Sequence, residues 1–417
     1  MTANPPPAAR ADNRSTCRKA LLLDMISSVR SPDVARTSGL DGPDWDDICT
    51  MAIQHRVAPL LFRRSAGCPE WAIPAEAMAR LKRAHAAAAR RSITLVYELH
   101  RVGTLLDAAE IRWAALKGAW LGLNAYPEAA LRPVRDLDVL VERERAVEAY
   151  RLLLDAGFQR QPGDAISLEQ AARGDGFRHL PSLVAPQSGM IVEVHTRLFD
   201  SGAREAAQRF AAAALARAQR TAVAGRATPF LSAENNALHL VAHAALDSTF
   251  DNGPLIFTDF AWLARRERVD WPGFWRDCEE LGFARAARLI VALSERYHGR
   301  TDGASPPGEG DPLPPGLLAE AALLTLADYD RRYARMQRAT LAAGALRQRL
   351  AAAAMLAFPP GYVLRYFAGP RWRWLPLPIL FPAWALARFA RLVASYARGH
   401  GNAEANRAAR VYLWLRS

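Results

Sequence analysis

Arg132-Pro133-Val134-Arg135-Asp136-Leu137-Asp138-Val139-Leu140-Val141 sets two acids into an otherwise apolar run. Side chains alternate faces along a strand, so Asp136 and Asp138 share one face while Leu137, Val139 and Val141 take the other. Farther along, Ile191-Val192-Glu193-Val194-His195 repeats the pattern, with Glu193 and His195 opposite Val192 and Val194. Lone Asp-x-Asp pairs are common at strand ends and helix caps, where they carry no chemistry. These acids instead lie inside apolar strands, where a buried charge is costly without a partner. If the two strands are neighbours, three carboxylates meet at one patch and repel unless protonated or bridged by cations. Hard oxygen donors without sulfur suit Mg²⁺ or Mn²⁺. Two such ions roughly 3.5–4 Å apart hold the attacking and leaving oxygens of an in-line displacement. The spacing therefore points to metal-assisted phosphoryl transfer.

A turn precedes the acids. Residues 111–116 read as a short strand and residues 119–126 as a helix stopped by Pro127, with Lys117-Gly118 between them. A glycine at a strand-to-helix turn lets the backbone approach a phosphate, and N–H groups at the helix start favour anions. Lys117 is one of three lysines, with Lys19 and Lys82, in a chain whose basic residues are otherwise arginine. It reads either as a phosphate contact or as a solvated strand-end lysine. Arg132 and Arg135 lie on the approach to the acids, where they can clamp phosphate oxygens or pair with a neighbouring acid. His239 and His243, at helical i, i+4 spacing, share a face and border the cleft together with His195; no third ligand at a recognisable spacing marks them as a metal pair.

In this order, Leu116-Lys-Gly118, Tyr126-Pro, Arg132-x-x-x-Asp136-x-Asp138-x-Leu-Val141 and Glu193-Val-His195 resemble an uncharacterised bacterial nucleotidyltransferase family of the polymerase-beta-like superfamily. The likeness continues through His239-Leu-Val-Ala-His243, Thr258-Asp259 and Asp270-Trp271 and spans roughly residues 40 to 300. It implies an α+β fold, a small mixed β-sheet palm flanked by N-terminal helices and a mostly helical C-terminal region. It also implies that Asp136, Asp138 and Glu193 are the catalytic, metal-binding carboxylates, with Mg²⁺ or Mn²⁺ as cofactor and a nucleoside triphosphate such as ATP as substrate. Many members place Gly-Ser at the turn. Here Ala119 follows Gly118, so the serine's phosphate contact passes to Lys117 or to backbone amides.

With 417 residues the chain is long enough for several subdomains. Residues 1–16, rich in proline, alanine and polar side chains, read as a disordered tail without a secretion signal. Residues 17–109 read as helical, with a long helix at 75–109 whose stripe is Leu95, Val96, Leu99, Val102, Leu105 and Leu106. Residues 110–200 form the core and 201–300 a helical, substrate-side region, with Ser232 as a helix N-cap. The glycine-containing connection at 161–176 reads as a surface loop or a lid. Residues 301–316, rich in Gly, Pro and Asp, form a linker. Residues 317–417 are basic and tryptophan-rich, with Arg331, Arg332, Arg335 and Arg338 in their first helical stretch.

Much of the net charge of +12 sits in that last region, where Trp372, Trp374, Trp384 and Trp414 lie among arginines. Such sequence fits either peripheral contact with an anionic membrane or an aromatic core patch with a solvated face. No apolar run reaches the ~20 residues of a spanning helix. Cys17, Cys49, Cys68 and Cys278 show no paired spacing, which fits a reducing cytoplasm. No recognised nucleic-acid-binding module is present. Two functions follow. One is a nucleotidyltransferase acting on a small molecule, sugar phosphate, peptide or protein. The other is a scaffold or peripheral-membrane protein that keeps the fold without the chemistry. If the acids serve a ligand and not the fold, replacing Asp136 or Asp138 by Asn leaves stability unchanged or raised.

Overall fold

A computed structural model describes residues 7–162, 167–173, 177–199, 204–247, 250, 253–266, 268–306, 312–327, 341, 346–359, 361, 364, 367–368, 372, 374–398 and 403–416. Parts of the expected 161–176 loop and 301–316 linker, and Arg331, Arg332, Arg335 and Arg338, lie outside these residues. The chain divides into two compact units. The larger holds Leu21–Ser248 and Asn252–Leu313, and the smaller holds Met1–Ala20, Thr249–Asp251 and Pro314–Ser417.

Five helices open the chain: α1 (Pro7–Ile26), α2 (Val34–Ser38), α3 (Gly42–Gln54), α4 (Ala58–Ser65) and α5 (Ala75–Ala108). Because α1 starts at Pro7, it covers ten residues of the expected disordered tail. Proline fits the first helical position, and the Ala-Ala-Arg-Ala that follows is strongly helix-forming. Asp41 caps α3, its Oδ1 accepting from the Asp44 N–H at 2.8 Å while Asp44 answers at 3.3 Å.

The sheet has the order β3-β4-β5-β2-β1-β7-β6. Its strands are β1 (Trp113–Ala115), β2 (Asp136–Val141), β3 (Gln159–Arg160), β4 (Leu183–Val184), β5 (Ile191–His195), β6 (Gln219–Val223) and β7 (Arg226–Phe230). Between them run α6 (Lys117–Trp120), α7 (Ala146–Asp155), α8 (Leu168–Arg173) and α9 (Arg204–Ala216). The central pair β2 and β5 is parallel, with Asp138 opposite Glu193 and Leu140 opposite His195. The fold is thus α+β with a mixed sheet. Helix α5 packs on this sheet through Leu95, Leu99, Val102 and Leu106, each at most 1% exposed.

The hairpin β6–β7 interrupts the stretch 201–300 that the sequence reads as helical. Ala224 and Gly225 turn it with φ of 44° and 84°, the two positive values of a type I′ turn, whose twist matches the flanking strands. Asp107 on α5 anchors it, accepting from Arg226 Nη2 at 2.7 Å and from the indole N–H of Trp113 at 2.9 Å. Trp113 lies against Gly103 of α5, where a Cβ would stand 2.5 Å from the ring.

Helices α10 (Ala233–Val241), α11 (Leu255–Arg266), α12 (Trp271–Glu280) and α13 (Ala284–His298) complete the larger unit around Phe257, Phe260, Phe274 and Trp275. Ser232 caps α10 through the Asn235 N–H. In the smaller unit, α14 (Leu317–Leu324) packs against the helix Ala403–Arg416, and Arg410 Nε donates to both oxygens of Glu320 at 2.9 and 2.8 Å. Leu364, Leu380 and Trp384 form a small core there, while Trp372, Trp374, Leu386 and Phe389 are exposed. Among the described residues, no helix is long and apolar enough to cross a membrane.

Gly103→Ala forces Trp113 out of place. It is expected to lower stability by about 1–3 kcal/mol, the usual cost of overpacking, measured by urea unfolding; unchanged stability would mean the indole has room to move.

Candidate active site

The parallel pairing of β2 and β5 does at the site what alternation demands. Asp138 and Glu193 stand side by side, and one donor atom from each of Asp138, Glu193 and His195 lies within 4.8 Å of the other two. Asp138 Oδ1 is 2.8 Å from His195 Nε2 and 3.0 Å from Lys117 Nζ. Glu193 Oε2 is 3.4 Å from the same His195 nitrogen and 3.9 Å from His179 Nε2, and Ser182 Oγ donates to Glu193 Oε1 at 3.3 Å. Asp136 is not in the tightest set, but its carboxyl interacts with Asp138, Glu193, Lys117 and Arg56.

Burial works against ionisation of Asp138, and Lys117 and His195 outweigh it, holding its pKa well below the usual range. Burial works against Glu193 too, and His195 and His179 still keep it lowered. Asp136 has less help. Burial, then repulsion from Asp138, pushes it up to about 6. Two ionised carboxylates beside a third that resists ionisation form an arrangement that a cation would relieve. The oxygen and imidazole donors fit a divalent metal.

Lys117 is on the site and not at a solvated strand end. Its backbone has φ of 42°, a left-handed conformation that costs a non-glycine residue about 1–2 kcal/mol and that clusters at functional positions. Gly118 has a reason that sequence spacing does not show. A Cβ there would collide with Arg132 Nη1 and stand 3.1 Å from Val134 Cγ1.

Arg132 itself is buried and holds Asp259 of α11 with both arms, Nε–Oδ1 at 3.2 Å and Nη2–Oδ2 at 3.0 Å. The Tyr126 hydroxyl donates to Asp259 Oδ1 at 2.8 Å. Of the two roles open to Arg132 in the sequence, the structure shows pairing with an acid, one 127 residues away. Arg135 is exposed at the edge of the site, and its carbonyl accepts from Arg91 Nη2 at 2.7 Å.

His195 is buried inside the cluster. His239 is buried as well, among Lys117, His243, His195 and Arg178, and burial drives its pKa well below the ordinary value. His243 Nδ1 lies 3.4 Å from Arg178 Nη2, and its ring centroid is 6.3 Å from that of His239. The sequence reading missed Arg56, His179, Arg178 and the partner role of Asp259. Asp259 carried the same signal as Glu193, a single acid inside an apolar run. Arg56, with φ of 63°, gave none; burial and the nearby Arg132 and Arg135 lower its pKa to about 10.

The acids of the central strand pair, the lysine turn and the buried histidines together form one polar site whose donors fit a divalent cation. The chain belongs to the family described as uncharacterised nucleotidyltransferase, which it matches over residues 41–299. That span contains every site residue named above. No curated protein matches it.

The two aspartates part company on stability. Asp136 has a folded pKa of about 6 against 3.8, so the native state gains a proton over that window and stability falls as pH rises from about 4 to 6. In chelator, Asp136→Asn is expected to raise stability at pH 7 by about 1–3 kcal/mol. Asp138→Asn is expected to lower it, since it strands Lys117 and His195 beside a neutral amide. Urea unfolding between pH 4 and 7 reads both, and equal shifts in the two variants would contradict the pairing described. The sequence treats the two as equivalent; Lys117 makes them unlike.

Proposed function

We propose that this protein transfers a nucleoside monophosphate from a nucleoside triphosphate, ATP among them, to a hydroxyl or phosphate acceptor. In that reading the sheet is a palm of the polymerase-beta-like kind. The observation that carries it is the register of β2 and β5, which sets Asp138 beside Glu193 with Asp136 two residues away and Lys117 on Asp138. The acceptor oxygen forms a bond to the α-phosphorus, a hydroxyl acceptor giving its proton up to solvent; the P–O bond bridging to the β-phosphate breaks, and pyrophosphate leaves with the electron pair.

Asp136, Asp138 and Glu193 would hold the cation, Mg²⁺ or Mn²⁺. When bound, it supplies positive charge to the phosphoryl oxygens and lowers the cost of forming the nucleophile. Lys117 adds a mobile point charge at the same place, and Gly118 and Arg135 line the approach for the phosphates. Arg132 acts at one remove, fixed on Asp259 and packed over Gly118. Glu193 is kept ionised by His195, which suits cation binding better than proton uptake, because a base of low pKa is weak. Positioning and fixed charge supply most of such catalysis. The acceptor class, whether small molecule, sugar phosphate, peptide or protein, is open to direct assay.

Incubation with α-labelled triphosphates and a cell extract is expected to label an acceptor. Asp136→Asn and Asp138→Asn should each reduce labelling by at least about a hundredfold. A triphosphate with Mg²⁺ or Mn²⁺ should raise the melting temperature of the wild type. No shift with any triphosphate would leave a scaffold that keeps the fold without the reaction.

The smaller unit supports a second assignment, peripheral contact with an anionic membrane. Trp372, Trp374, Ile379, Leu386 and Phe389 are each at least 55% exposed in a segment rich in arginine. Aromatic and basic side chains at a surface together favour the interface of anionic bilayers. The full chain is expected to co-sediment with phosphatidylserine vesicles at low salt, and the double variant Trp372→Ala/Trp374→Ala to do so severalfold less. Equal sedimentation with neutral vesicles would remove the electrostatic part of this assignment.

A further inference from the structure

His179, on the stretch that leads into β4, forms an isolated antiparallel bridge with His195. The Leu180 N–H donates to the Val194 carbonyl at 2.8 Å, and the Thr196 N–H to the Arg178 carbonyl at 2.9 Å. Residues paired directly across such a bridge point to the same face, and the two imidazole rings stand 5.2 Å apart. The bridge thus brings His179 to the face that carries Asp138 and Glu193. Its Nε2 is 3.9 Å from Glu193 Oε2.

The tautomer of this ring is assigned from its other nitrogen. Nδ1 lies 2.8 Å from the Leu180 carbonyl, which can only accept, so Nδ1 carries the hydrogen. In the neutral ring Nε2 is then a bare lone pair. A charged ring would donate to the carboxylate in front of it at about 2.7–2.9 Å, and the 3.9 Å gap holds no such bond. Among the described residues, none donates a hydrogen bond to this nitrogen.

Solvent reaches the acids at this point. The side chains of His179 and Glu193 are 19% and 20% exposed, against 0% for His195 and 3% for Asp138. At the open side of the site a lone pair and a carboxylate oxygen therefore face each other without a hydrogen bond joining them. That gap suits a group bringing a hydrogen of its own. A hydroxyl can donate to Nε2 and keep its lone pairs for phosphorus, whereas a phosphate dianion offers only acceptors and meets the charge of Glu193. Resting on the nucleotidyltransferase reading, we propose that His179 binds the acceptor, its Nε2 accepting the hydrogen of the acceptor's hydroxyl. The residue thereby selects hydroxyl over phosphate acceptors.

The tautomer is read on the full chain labelled with ¹⁵N-histidine, the His179 signal being the one lost in His179→Asn. A hydrogen on Nδ1 and none on Nε2 is expected at about pH 8, and a hydrogen on Nε2 overturns the proposal. Kinetics use α-labelled ATP, Mg²⁺ and a dilution series of cell extract as the acceptor source. In His179→Phe, half-saturation should need about three- to tenfold more extract, the effect of one hydrogen bond, with half-saturating ATP unchanged. His179→Asn, whose amide oxygen accepts, should recover part of the difference. Unchanged half-saturation for extract, or extract and ATP shifted alike, overturns the proposal. If His179→Phe does not fold, the ³¹P spectrum of the wild-type product decides. A phosphodiester is expected there, and a pyrophosphate linkage removes this proposal while keeping the transfer reading. No labelled product at all removes the transfer reading and this proposal with it.

Discussion

Two acids forced side by side by a parallel strand pair are the constraint on which the rest of this molecule depends. Asp138 and Glu193 face each other across β2 and β5, in a place where neither would remain ionised unaided. Lys117, His195 and His179 surround them, and each of these side chains needs its own support. Lys117 takes a left-handed backbone to reach the cluster. The polar groups of the site form one interdependent network, and Asp136 is its least compensated member.

A second network stiffens the first. Asp259 joins Arg132, at the entrance to β2, to Tyr126, at the end of the turn-helix. It thus ties the helical half of the larger unit to the loop that carries Lys117 and Gly118. Removing one member of a buried charge pair commonly costs 3–5 kcal/mol, because the other is left without compensation. This explains why an arginine so near the acids is committed to structure. Its charge still helps to set the potential in which Arg56 and Asp136 sit.

The sequence showed the acids because strand periodicity is a local property. Asp136-x-Asp138 and Glu193 could be put on the right faces from alternation alone, and the stripe on α5 from helical spacing. What it could not show were partners fixed by tertiary contact. The choice of Arg132 between a phosphate and an acid depended on Asp259, far along the chain. Gly118 looked like a phosphate turn, and its tight fit against Arg132 has no signature in spacing. The hairpin β6–β7 was missed because Gln219-Arg-Thr-Ala-Val223 lacks an apolar alternation, and its edge strand is exposed. Residues 7–16 went the other way, where local helix formers outweighed a composition that suggested disorder.

Two wide helical turns have a consequence of their own. Leu121–Ala125, just after the Lys117 turn, and Ala242–Asp247, which includes His243, are both π-helical, a rare form concentrated near functional sites. Each wide turn accommodates an extra residue within the helical repeat. Removing one residue from either would let ordinary α bonding resume with the turns before it kept in phase, because the wide turn had absorbed the surplus. The change falls on the few side chains inside the wide turn, His243 among them in the second. Insertion and deletion can thus alter what borders the acids without displacing the strands that carry them.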